Sequence, residues 1–65
     1  MSHADYIKQL LRAAKMSQVQ ASVLADVSPV SWRVYMANPE LVSEPVRARC
    51  EAVERSLEQT TKGLP

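Results

Sequence analysis

Two serines fix the layout of this chain before its composition is counted. Ser17 stands three residues before Gln20, a capping box in which the serine oxygen takes one orphan N–H of a first turn while the glutamine side chain reaches back to another. A helix therefore starts at Gln18. Ser28 directly precedes Pro29, pairing a strong N-cap with a residue whose missing N–H is not needed in a first turn, so a second helix starts there. Between them, Asp26 tolerates left-handed backbone better than most residues that carry a Cβ, which ends the first of these helices near Ala25. Asn38 and Pro39 end the second near Ala37.

Two helices joined by so short a turn cross steeply, and only small residues let their backbones approach at the elbow. Ala21, Ser22 and Ala25 supply them. With Gln18 as the first position of such a pair, the inward sites fall on Ala21, Ser22, Ala25, Val27, Trp32 and Tyr35, with Leu24 at the flank. The outward sites of the second helix fall on Pro29, Val30, Arg33, Val34 and Ala37, the face that enters a major groove when such a pair docks on DNA. Trp32 is expected in the core, since readers of duplex DNA seldom stack bases on tryptophan. Val19 and Val23 lie toward the outer side of the first helix of the pair, either as ordinary exposed apolar residues or as a patch that meets DNA or a partner.

The rest of the chain brackets this pair. Ser2 caps a first helix with Asp5 in its opening turn, and Ile7, Leu10, Leu11 and Ala14 follow helical spacing, so one stripe faces a core. Lys8 and Arg12 read as a solvated face, whereas Lys15, two residues before the capped helix, is placed to reach a phosphate. His3 reads as a solvated terminal residue, and Met16 as a gap filler under the next helix. After Pro39, Leu41 and Val42 are expected to fold back as a lid. Ser43 then caps a last helix in which Val46, Cys50, Val53 and Leu57 recur at the spacing of a helix seam. That stripe buries either the domain's own core or, in part, the same stripe of a second chain, and these four residues are the candidate dimer interface. The expectation is an all-α, compact domain of four helices near 3–15, 18–25, 29–37 and 44–58, occupying residues 1–59, with a flexible tail over 60–65.

Sixty-five residues hold one small core, marginal unless efficiently packed or shared with a second copy. A single cysteine and a single histidine exclude an internal disulfide framework and a Cys/His zinc site. No residue set supports catalysis, so no enzyme activity, metal or cofactor is expected. With no signal-like segment and no apolar run of membrane-spanning length, a cytoplasmic protein is expected. The net charge of only +1 is low for a nucleic-acid binder. Its distribution helps: Lys8, Arg12, Lys15 and Arg33 outnumber Asp5 and Asp26 in residues 1–38, whereas acidic residues prevail over 39–65. One copy neutralises few phosphates, so tight binding calls for two copies on one site.

The run Tyr6, Leu10, Leu11, Ala14, Ser17, Gln18, Ala21, then Val27, Ser28, Arg33 and Tyr35, resembles the small helix-turn-helix regulators of the Cro/C1 phage type. Within them it is most similar to the anti-CRISPR-associated (Aca) repressors. Asp26 replaces the usual glycine of the turn and Ser22 the usual alanine; Val19, Gln20 and Val30 stand where Aca-like proteins carry basic residues. A second, ungapped similarity runs from Val27 and Ser28 through Val42, Ser43, Arg47, Glu51, Ala52 and Leu57 to the headpiece of lactose-repressor-type proteins. That headpiece has no counterpart to residues 1–16 and ranks second.

The first resemblance implies a sequence-specific transcriptional repressor of a phage or mobile element that binds double-stranded DNA at an inverted repeat as a homodimer and represses its own operon. Lys15, Ser17, Gln18, Gln20 and the Ser28 cap with Ser31 are the expected phosphate contacts. Arg33 is expected to meet a guanine edge, and Val30 with Val34 thymine methyls. The alternative is a non-enzymatic protein-interaction module that uses the same helices to dock a regulatory partner, favoured by the near-neutral charge and the outer valines.

Overall fold

The computed structural model describes residues 2–62, and over them the protein is all-helical, with four α-helices. They are α1 (His3–Ala13), α2 (Gln18–Leu24), α3 (Pro29–Ala37) and α4 (Glu44–Lys62), with a single 3₁₀ turn at Pro39–Leu41 between the last two. Each of the first three begins where a serine side chain accepts a backbone N–H: Ser2 from Asp5, Ser17 from Gln20 and Ser28 from Ser31. At Ser17 the box closes in both directions, with Ser17 N–H donating to Gln20 Oε1 at 2.8 Å.

The ends of α1 and α2 share one geometry. Lys15 and Asp26 take left-handed backbone, with φ of 56° and 57°. In α1, Met16 N–H bonds the Leu11 carbonyl and Lys15 N–H that of Arg12; in α2, Val27 bonds Ser22 and Asp26 bonds Val23. This is the Schellman closure, which satisfies carbonyls that a helix end leaves open. Helix α1 thus stops before Lys15, short of the expected residue 15, because folding Met16 back against the core requires the chain to reverse there.

The core gathers Ile7, Leu10 and Leu11 of α1, Ala21 and Ala25 at the elbow, Trp32, Tyr35 and Met36 of α3, and Cys50, Val53 and Leu57 of α4. Ser22 is also fully buried, its hydroxyl donating to the Val19 carbonyl at 2.7 Å, so the polar atom stays satisfied where the α2 and α3 backbones approach. Trp32 is the largest fully buried side chain, and its ring leans on Tyr35 at 5.9 Å between centroids.

Three expectations are corrected. Of the two readings of the α4 stripe, the domain's own core holds for Cys50, Val53 and Leu57, which are buried in it, with Val46 packed against it. Leu41 is 70% exposed at the end of the 3₁₀ turn, and only Val42, where the chain becomes extended, packs inward. Helix α4 continues past residue 58 to Lys62, with the Thr60 and Thr61 hydroxyls donating to the Ser56 and Glu58 carbonyls; the rest of the expected tail, 63–65, lies outside the described residues. His3 is half-buried against Tyr35 rather than a solvated terminal residue.

Candidate nucleic-acid interface

The outer face of α2 and α3 is held from behind. Trp32 and Tyr35 anchor α3 inward, and the Tyr35 hydroxyl donates to Glu54 Oε2 of α4 at 2.6 Å. His3 closes this support from α1, its ring edge-on to Tyr35 at 5.3 Å and its Nε2 3.7 Å from the same Glu54 oxygen. Burial, then the hydrogen bond to Glu54 and its charge, push the Tyr35 hydroxyl far above tyrosine's ordinary value of 10.0. Burial likewise pushes the Cys50 thiol up, which makes it an inert core filler rather than a nucleophile. These supporting contacts join residues far apart in the chain, and no local spacing announces them.

In front of that support stand the residues expected to meet DNA. Lys15 is exposed on the left-handed residue that leads into α2. Ser17 and Gln20 are exposed and committed to each other by the capping box, which occupies the serine oxygen and the glutamine carbonyl. The serine O–H and the glutamine amide donors remain outward-capable. Gln18 is half-buried at the start of α2. Ser28 is exposed and its hydroxyl donates to Ser31 Oγ at 3.0 Å, which leaves the half-buried Ser31 with its own O–H to give outward.

Along α3, Val30 is 67% exposed, Arg33 is exposed and Val34 half-buried, so the predicted outward strip is present with Val34 at its edge. No carboxylate lies within ion-pair distance of Arg33 among the described residues. Helix α2 contributes no charge to this face, and its Val19 and Val23 are 55% and 70% exposed. The surface is therefore apolar and weakly basic, with one cation on α3 and serine and glutamine donors at the two helix starts.

Elsewhere, an apolar groove of about 440 Å³ runs between the end of α1, Leu24 and α4, walled by Met16, Val53 and Leu57 with Arg49 at its rim. Among the described residues no group of three or more His, Cys, Asp or Glu is arranged to hold a metal ion, and no helix is long and apolar enough to cross a membrane. Comparison with known proteins gives no match to a family model, to a curated protein or to a solved structure.

Proposed function

We propose that this protein is a sequence-specific DNA-binding transcriptional repressor of the helix-turn-helix class, akin to the Cro/C1-type phage regulators and most of all to the Aca repressors. It binds an inverted repeat in double-stranded DNA as a homodimer and represses the operon of the phage or mobile element that encodes it. The observation that carries this reading is Arg33: an exposed cation with no carboxylate partner among the described residues, one turn beyond exposed Val30, on a helix whose opposite side is locked by Trp32 and Tyr35. A helix so mounted offers a guanidinium to a guanine edge and a valine to thymine methyls. The hydroxyls and amides at the starts of α2 and α3 hold the flanking phosphates.

Since the α4 stripe is enclosed within the subunit, two copies meet through another surface, and their recognition helices stand about 34 Å apart or a multiple of that. The test is a mobility shift with duplex from immediately upstream of the gene against an unrelated duplex of equal length, repeated across salt. Selective binding that weakens steeply with salt is expected, and equal or absent binding overturns the reading.

A second reading is favoured by the exposed Val19, Val23 and Val30, which suit a protein partner as well as thymine methyls. Salt-insensitive binding to a protein, with no duplex binding, is its signature.

A further inference from the structure

The groove between the end of α1, Leu24 and α4 has no part in the outer strip of α3. Its α4 wall is formed by Arg49, Ala52, Val53, Ser56, Leu57 and Thr60, whose spacing keeps them on one side of the helix. At about 1.5 Å of rise per residue this wall extends roughly 16 Å, so the groove is long rather than round. Val53 and Leu57 belong to the core and give it an apolar floor, while half-buried Met16 and exposed Leu24 stand opposite. Its volume of about 440 Å³ suits a small molecule, since such sites run from roughly 300 to 1,000 Å³ and join apolar walls to a few polar groups.

One charged side chain lines the groove, and it is a cation. The other arginines of α4 have acids beside them: Arg47 stands 3.9 Å from Glu51, and Arg55 shares a hollow on the opposite side of the helix with Glu51, Glu54 and Glu58. Arg49 has no carboxylate within ion-pair distance among the described residues, and none lines the groove. At the far end, Thr60 spends its hydroxyl on the Ser56 carbonyl, so charge sits at one end only. From this polarity we infer that the groove binds a small amphipathic anion: an aliphatic carboxylate whose chain lies between Leu24 and the Ala52, Val53 and Leu57 stripe, and whose head is held by the Arg49 guanidinium. The paired N–H donors of a guanidinium match a carboxylate. A second copy of the chain suits the groove less well. Two copies pairing groove to groove would bring both Arg49 side chains into one interface with no acid to meet them. The site stands whether or not α3 reads DNA.

The experiment titrates the protein with decanoate, below the concentration at which it forms micelles, and with decanol as the uncharged chain, following backbone amides by NMR and the urea midpoint. Expected are saturable shifts gathered at Met16, Leu24 and Ala52 to Leu57, and a midpoint that rises with decanoate because only the folded chain has the groove. Arg49→Gln is expected to weaken decanoate by roughly three- to tenfold, the effect of one charge-assisted contact at an exposed guanidinium, and to leave decanol as it was. Arg49 is exposed and unpaired among the described residues, so the variant keeps its fold, and circular dichroism checks this. Arg55→Gln removes the same charge from the opposite side of α4 and is expected to change neither ligand. Absence of saturable binding overturns the site, as does an Arg49→Gln protein that binds decanoate as before or loses decanol equally, or an equal effect of Arg55→Gln. Shifts spread over the whole chain with a falling midpoint, the mark of a detergent, overturn it too. So does a groove filled by a second copy, seen in sedimentation as a dimer whose groove amides shift on dilution and not with decanoate. Failure to bind duplex DNA leaves the site untouched, and failure to bind decanoate leaves the repressor reading standing.

Discussion

Helix α3 has two sides that meet opposite fates. On its inner side Trp32, Tyr35 and Met36 are buried and linked to α1 and α4 by ring contacts and the Tyr35 to Glu54 hydrogen bond. On its outer side, Val30 and Arg33 are exposed, and Arg33 has no carboxylate within ion-pair distance among the described residues. The difference separates two kinds of consequence. Changes inside act on folding, whereas changes outside leave folding alone and, on the proposed reading, act on binding.

The largest break in that comparison comes from Trp32→Ala. Truncating a buried aromatic costs about 3 to 5 kcal/mol, close to the whole stability expected of so small a domain, so the variant is expected to be largely unfolded in urea titrations and by circular dichroism. Trp32→Phe sharpens the result. The Trp32 Nε1 is buried with no hydrogen-bond partner among the described residues, so phenylalanine discards an unsatisfied donor along with some volume and is expected to lose much less. A folded alanine variant that has lost only DNA binding would put Trp32 on the wrong side.

Arg33→Ala is the matching test on the outer side. No core atom is removed, so the melting temperature is expected to hold. Where Arg33 reads a guanine, affinity for the upstream site falls by about 1 to 3 kcal/mol and the preference flattens at one base pair per half-site. Where it holds a phosphate, affinity falls alike on all sequences and the salt slope drops by about one per subunit. Unchanged affinity together with an unchanged slope moves the assignment to a protein partner.

Which of these features the sequence discloses depends on how local their causes are. The starts of α1, α2 and α3 are legible because a serine and the N–H it caps lie three residues apart. The inward and outward positions of α3 are legible because its period is fixed by the backbone. Periodicity also marks Val46, Cys50, Val53 and Leu57 as a stripe that must be covered, yet it cannot say by what; α1, α2 and α3 of the same chain pack against α4. Tyr35 and Glu54 are 19 residues apart, and His3 joins them from the other end of the chain, a meeting decided only by packing. The left-handed Lys15 has no marker in its residue type, since the docking of Met16 imposes it.

The inner side also carries a pH signature. Tyr35 has its ionisation raised in the folded state above 10.0, so the folded protein keeps the proton there while the unfolded chain releases it. That contribution to stability is complete below pH 10 and is lost as pH rises further, by about 1.4 kcal/mol for each pH unit above it. Cys50, raised by burial from 9.0, adds a loss of the same sign beginning at lower pH. Urea midpoints measured from pH 7 to 11 are therefore expected to fall at the alkaline end, and Tyr35→Phe should fall less steeply above pH 10 while retaining the Cys50 part. Identical alkaline slopes for the two proteins would remove Tyr35 as a source.

The smallest expected effects come from the two left-handed residues, and they test whether the turn behind the outer face is under strain. A Cβ in that conformation approaches the following carbonyl, a cost that glycine escapes, though glycine gives back part of the gain through its freer unfolded chain. Lys15 has no short polar side chain to ease the geometry, whereas Asp26 does. Lys15→Gly is therefore expected to stabilise the fold by about 1 kcal/mol and Asp26→Gly by about half that, read as shifted urea midpoints with unchanged slopes. Binding separates the pair again. Asp26→Gly leaves the preference for the upstream duplex intact, since it alters neither α3 nor any cation, while Lys15→Gly removes a proposed phosphate contact and lowers affinity on every sequence alike. If Asp26→Gly instead destabilises the protein, its side chain holds the turn between α2 and α3 in place, and the angle at which α3 is presented depends on it.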